Sequence, residues 1–117
     1  SSRSETPFLT SVMLWTLRGS FQRKLEIAAE AGMDSVELVD EHLNWSDARI
    51  AEARKEAAAM KLGLDTIIAT PAWTSRPVSM LDPAQSANFL GDVERALVFA
   101  RKLEIPQVIL IAGNTLK

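Results

Sequence analysis

The fold is decided by residues 28–39, which read AAEAGMDSVELV. The first four residues are good helix formers, and Gly32 is placed to end a helix because glycine readily adopts the left-handed backbone of a helix C-terminus. The run from Ser35 to Val39 is short and mostly apolar, which is typical of a buried strand. A helix that leads through a short turn into a strand predicts an α/β unit.

Three further runs have the same strand character, namely Ser11–Thr16, Leu64–Ala69 and Gln107–Ala112. Near-continuous apolar strands favour a parallel sheet that is buried on both faces. The intervening segments have helical periodicity, and they predict a β-α-β-α-β-α-β order with right-handed crossovers. We expect N-caps at Ser20, Ser46 and Asp82, and helix ends near Gly32, Gly63 and Pro106. Pro83 and Gln85 after Asp82 form a near capping box.

Composition limits the classes of function. The 117 residues have a formal net charge of −2, so no basic excess favours nucleic-acid binding. No apolar run is long enough to span a bilayer, and the absence of cysteine excludes disulfides and thiolate sites. We expect residues 1–10 to be a polar tail and residues 11–117 to form one domain. The sequence does not fix the compartment, and the cytoplasm is the default expectation.

Glu37 is a carboxylate in the middle of an apolar strand, where an unpaired charge is costly. Strand alternation places Val36 and Leu38 on one face and Glu37 on the other. Two interpretations stay open. Glu37 points at a ligand, or it forms a structural ion pair with Arg18 or bonds a polar group of a neighbouring strand.

Other polar and aromatic residues follow the carboxyl ends of the predicted strands, where parallel α/β folds bind ligands. His42, the single histidine, lies between Asp40 and Asn44, and we expect a solvated loop there because no second histidine supports a metal site. Trp15 and Trp45 are predicted either to line a pocket or to pack in the core. The long segment from Thr70 to Leu81 is predicted to be a binding loop or an irregular one. No phosphate-loop or nucleophile-elbow motif occurs.

These runs together resemble the N-terminal half of hydroxypyruvate isomerase-like proteins, which belong to the xylose isomerase-like TIM barrels. The resemblance rests on Ser11–Thr16, Ala28–Gly32, Ser35–Val39 and Asp82–Gln85. It extends from Val12 to Asn114. A (β/α)8 barrel needs about 250 residues, so it implies that this chain supplies the first four strands and three helices, a half barrel.

The resemblance also implies a chemistry. Such proteins are isomerases or epimerases of small hydroxy-carbonyl compounds, of the hydroxypyruvate or sugar type. A divalent metal (Mg²⁺, Mn²⁺ or Zn²⁺) holds the substrate and paired carboxylates move a proton between adjacent carbons. The metal ligands and both carboxylates come from strands five to eight, so we expect no metal ligand or catalytic residue here and an inactive isolated chain. The substrate-pocket wall carries over, at Trp15, Glu37, Thr70 and Asn114.

The sequence also bears on two other kinds of protein. The family's endonuclease branch has histidines after strands three and four, where this sequence has Ala69-Thr-Pro71 and Ala112-Gly-Asn114, which argues against a zinc nuclease. The alternative of a different class is a non-catalytic half-barrel module that forms a homo-oligomer, or binds a partner or a small sugar or keto acid. Unpaired edges at the first and fourth strands would favour such association.

Overall fold

Four parallel strands form a single sheet in the computed structural model, which describes residues 9–69 and 79–111. They are β1 (Ser11–Met13), β2 (Ser35–Leu38), β3 (Gly63–Ile68) and β4 (Gln107–Ile109). The strands lie side by side in chain order, and each neighbouring pair is parallel. The predicted α/β class and element order are therefore confirmed. Most of the predicted N-terminal tail lies outside the described residues.

Three α-helices connect the strands, α1 (Phe21–Glu30), α2 (Asp47–Ala59) and α3 (Ser86–Leu103). β1 is shorter than its apolar run predicted, because the chain enters a 3-10 turn at Leu14–Thr16. The Thr16 hydroxyl donates a hydrogen bond of 2.7 Å to the Met13 carbonyl and so closes this turn. Leu14 is fully buried, so its apolar character reflects the core and not a longer strand.

Serine caps begin two of the helices as predicted. The Ser20 and Ser46 hydroxyls accept hydrogen bonds of 3.1 Å from the Arg23 and Arg49 amides. The predicted start of α3 is wrong by three residues. The Asp82 carboxylate accepts a bond from the Ala84 amide at 2.9 Å, and this local turn ends before the helix begins at Ser86.

Removing one of these caps has a measurable cost. We expect Ser46→Ala to lower the free energy of unfolding by about 1 kcal/mol, because the Arg49 amide loses its acceptor. Gln85→Ala is the matched control, since Gln85 occupies the N-cap of α3 without a side-chain cap bond. Urea unfolding followed by circular dichroism compares the two. Equal losses would show that the Ser46 hydroxyl contributes nothing as a cap.

All three helices end with the same paired hydrogen bonds around a left-handed residue. That residue is Gly32 after α1, as predicted, with φ +78°. After α2 it is Lys61, so the prediction that Gly63 ends this helix is wrong. Gly63 instead opens β3, where an added Cβ would lie 3.3 Å from the Ser35 Cβ. This contact is tighter than most Cβ contacts, so the close approach of β2 and β3 favours glycine there.

The hydrophobic core lies between the helices and one face of the sheet. It is built from Val36, Leu38 and Ile67 on the strands and from helix residues such as Leu25 and Ala100. The opposite face carries the half-buried Glu37 on β2, Thr66 on β3, which is 3% exposed, and the exposed Gln107 on β4. The expectation of a sheet buried on both faces is therefore met at β3 and not at β4. No helix in residues 9–69 and 79–111 has the length and apolar character to cross a membrane.

Candidate functional site

The face of the sheet opposite the hydrophobic core carries one row of residues across all four strands. The strand registers pair Met13 with Glu37, Glu37 with Thr66, and Thr66 with Gln107. Residues paired across parallel strands share a face, so these four side chains form a row. The Thr66 hydroxyl donates a 3.1 Å hydrogen bond to the Gln107 side-chain carbonyl. The row is therefore polar over its three later strands.

Glu37 is the charged member of this row and the least satisfied one. It is half-buried, and among the described residues it makes no hydrogen bond or ion pair. The ion pair with Arg18, which was one of the interpretations left open by the sequence, is thus not formed, and Arg18 is exposed. Burial, with a smaller contribution from the negative charge of Asp65, raises the pKa of Glu37 above its ordinary value. Such a carboxylate can accept a hydrogen bond from a ligand hydroxyl or exchange a proton with it.

Below this row, at the amino ends of the strands, lies a polar cluster that the sequence analysis did not identify. The Asp65 carboxylate accepts hydrogen bonds from Ser35 at 2.7 Å and from Ser11 at 3.3 Å. It thereby links β1, β2 and β3. A register shift between Val36 and Glu37 accommodates the extra residue of β3. Because its bonds are internal, we assign Asp65 to holding the strands together.

The two tryptophans expected near the strand ends have different environments. Trp15 is 61% exposed after β1, so it does not pack in the core and its side chain is free to contact a ligand. Trp45 is half-buried against the core. Its ring makes an edge contact with Phe21, with centroids 4.9 Å apart, and Arg49 lies 5.3 Å above it. Trp45 therefore has the core-packing role, and the role of Trp15 in a pocket wall stays a prediction.

The loop after β2 contradicts the expectation of a solvated histidine. His42 is 1% exposed, and its ring makes an edge contact with Phe99 of α3 at 4.8 Å. Glu41 beside it is also buried, pairs with Lys24 at 3.6 Å and accepts a bond from the Val39 amide. The polar residues of this loop are buried because they bond to one another and to α1: Glu41 bonds to the Val39 amide in the loop and to Lys24 of α1. Sequence alone gives no signal for this contact, which depends on α3.

The remaining predicted pocket residues, Thr70 and Asn114, lie outside the described residues, as does most of the segment from Thr70 to Leu81. Within residues 9–69 and 79–111, no three side chains of His, Cys, Asp or Glu come together in a way that could hold a metal ion. This part of the chain therefore offers no ligand set for a divalent metal.

Comparison with a solved structure identifies the fold. The chain is similar to a "xylose isomerase-like TIM barrel/4-hydroxyphenylpyruvate dioxygenase fusion protein", with a TM-score of 0.62 and 21% sequence identity over 86% of this chain. The chain has the fold of a TIM-barrel segment. It spans 15% of the length of that fusion protein. No family model matches the sequence, and no curated protein matches it either.

The two ends of the sheet have different roles in a TIM barrel. TIM barrels bind substrates at the carboxyl ends of their strands, whereas residues at the amino ends serve stability. In this TIM-barrel segment, Trp15 and the loop after β2 are at the carboxyl end, and the Asp65 cluster is at the amino end. In a TIM barrel the helices lie outside and the opposite face of the sheet forms the interior, and Glu37 lies on that opposite face of this segment.

Proposed function

We propose that this chain is the N-terminal part of a metal-dependent isomerase or epimerase. Its substrate is a small hydroxy-carbonyl compound of the hydroxypyruvate or sugar type, and the reaction moves a proton between adjacent carbons. The observation that carries the proposal is Glu37, a half-buried carboxylate without a partner among the described residues, on the face that becomes the interior of a TIM barrel. The name of the structural neighbour supports the same class of protein.

Each residue of the proposed pocket wall has a distinct role. Glu37 accepts a hydrogen bond from a substrate hydroxyl, and its raised pKa suits a site in which protons move. Trp15, exposed at the carboxyl end of β1, supplies an apolar wall against the carbon skeleton. Thr70 and Asn114 complete the wall with polar groups. Thr66 and Gln107 extend the polar row beside Glu37.

The metal in this proposal is held by other parts of the protein. The described residues do not form a ligand set, so no step of the mechanism is assigned to a metal here. The resemblance places the ligands and the catalytic carboxylates on later strands. The isolated 117-residue chain is therefore proposed to be inactive.

Exchange of substrate hydrogen with solvent tests the proposal. The intact protein is incubated in D2O with hydroxypyruvate and with small aldoses and ketoses, each with Mg²⁺, Mn²⁺ or Zn²⁺ and each with EDTA. We expect deuterium to enter the carbon next to the carbonyl in a protein-dependent and metal-dependent reaction, measured by NMR. Exchange that persists in EDTA, or that the isolated chain of residues 1–117 catalyses, would overturn the proposal.

A second candidate rests on the exposed apolar surface around β4. On β4 and just after it, Ile109 is 38% and Leu110 is 50% exposed, and on α3 Leu90 is 58% and Leu97 is 41% exposed. In the isomerase, further βα units of the same protein cover this surface. In a non-catalytic half-barrel module, a second copy covers it. Sedimentation at micromolar concentration separates the two, since only the module requires a stable dimer of the 117-residue chain.

A further inference from the structure

The loop between β2 and α2, residues 39–46, is attached to α3 through the ring of His42. The ring is 1% exposed and lies edge-on to Phe99, with centroids 4.8 Å apart and planes at 74°. His42 is thus the one residue of this loop with a ring contact to α3 among the described residues. The loop begins directly after β2, two residues beyond Glu37.

The surroundings of the ring are mostly apolar. A cavity of about 10 Å³ lies beside it, and its apolar lining includes Leu43, Ile68, Ala96 and Phe99. That volume is about the minimum that one water molecule needs. The Nδ1 atom of His42 is buried and has no hydrogen-bond partner among the described residues.

Charged groups approach the ring from two elements. α3 contributes Asp92 and Arg95, whose Oδ1 and Nη1 atoms are 3.5 Å apart. The loop itself contributes Asp40, and Glu41 beside it is paired with Lys24 of α1. β3 contributes only the apolar Ile68 and Ala69. The positive charge of Arg95 offsets the negative charge of Asp92, and Glu41 is already paired with Lys24. These carboxylates therefore do not compensate the free-energy cost of burying a positively charged His42 ring.

We propose that His42 is a proton-operated latch, whose neutral ring holds residues 39–46 against α3 and whose protonation releases them. A charged ring must regain water, and the space beside it has room for about one water molecule. Consistent with this, burial lowers the pKa of His42 to about 4, against the partial opposing effect of Asp40. The latch itself is independent of the proposed reaction. Its effect on a substrate bound near Glu37 rests on the proposed function.

The first test uses the unaltered protein. In an NMR titration of the complete protein, the ring signals of His42 are identified as those that are missing from the His42→Phe variant; residues 1–117 contain no other histidine. We expect a midpoint about two pH units below the ordinary value of about 6.5. A midpoint near 6.5 would show that the ring is solvated and would overturn the latch. Neither outcome depends on the isomerase activity.

The second test follows the loop through Trp45, which packs on Phe21. Trp15→Phe and Trp73→Phe leave Trp45 as the single tryptophan of the chain. We expect its emission to change with the midpoint of His42, while the far-UV circular dichroism is retained. A change only together with the loss of circular dichroism would mean global unfolding and would contradict the latch.

The control is His42→Phe in the same background, with His42→Gln as the second variant if the first does not fold. Both lack the titrating group. We expect the Trp45 transition to disappear in the folded variant, because the other groups near the loop are unchanged. A transition that persists at the same pH would assign it to a carboxylate and overturn the proposal.

Discussion

We expect Glu37→Gln to lower the turnover of the complete protein at least about tenfold and not to lower its stability. In the proposed function the substrate loses a charged hydrogen bond to Glu37, an interaction worth about 1.5–3 kcal/mol. The stability is retained because Glu37 has no partner among the described residues to lose. Its raised folded-state pKa means that the fold disfavours the charged form, so the carboxylate destabilises the protein at pH values above that pKa. Glutamine removes this cost.

Steady-state kinetics and urea unfolding at pH 7 measure both effects. Glu94→Gln is the matched control, because Glu94 is exposed on α3 and lies far along the chain from the row of Glu37. We expect wild-type turnover and stability for that variant. If Glu37→Gln keeps wild-type turnover but unfolds more easily, Glu37 is a structural residue and the proposed pocket wall is wrong.

The second large effect is a loss of stability in acid. The folded pKa of His42 is about 4, against about 6.5 for an unfolded histidine. In that window the unfolded chain binds a proton that the folded chain excludes. The stability that the neutral His42 ring contributes to the folded protein is therefore complete above about pH 6.5 and is lost as the pH falls to about 4. The free energy of unfolding is expected to drop by about 3 kcal/mol across the window.

Urea unfolding at a series of pH values measures this loss, and two variants isolate its cause. His42→Phe removes the titrating group, so its stability should depend less on pH by about the same amount. Phe99→Leu removes the ring contact and keeps the histidine. It should be less stable at every pH and keep much of the acid dependence. An unchanged pH dependence in His42→Phe would assign the loss to carboxylates.

The sequence predicts the sheet and its helices well because local patterns determine them. Ser20 and Ser46 cap the helices as expected, and residues 28–39 form the helix end and strand that their pattern indicates. Strand alternation also places Glu37 correctly opposite Val36 and Leu38. Thr66 and Gln107 carry the same signal, a polar residue in an apolar strand, and the alternation rule could have identified them.

Two of the errors arise where a distant residue decides the outcome. His42 is buried because Phe99 on α3 lies over it, a contact between residues far apart in the sequence. Gly63 follows α2 and suggests a helix end, but it lies in β3, where an added Cβ would be tightly placed against Ser35. The error at Asp82 is local, because its carboxylate accepts a bond from the Ala84 amide and forms a closed turn in place of a helix start.

The intact mass of the protein purified from its native source shows whether these strands belong to a longer chain. A closed eight-stranded barrel needs about 250 residues. Mass spectrometry should therefore give about 30 kDa or more, with the sequence of residues 1–117 within it. A mass of 12.9 kDa would contradict the isomerase account. The half barrel would then be the complete protein, and its exposed β4 edge would have to be covered by a second copy.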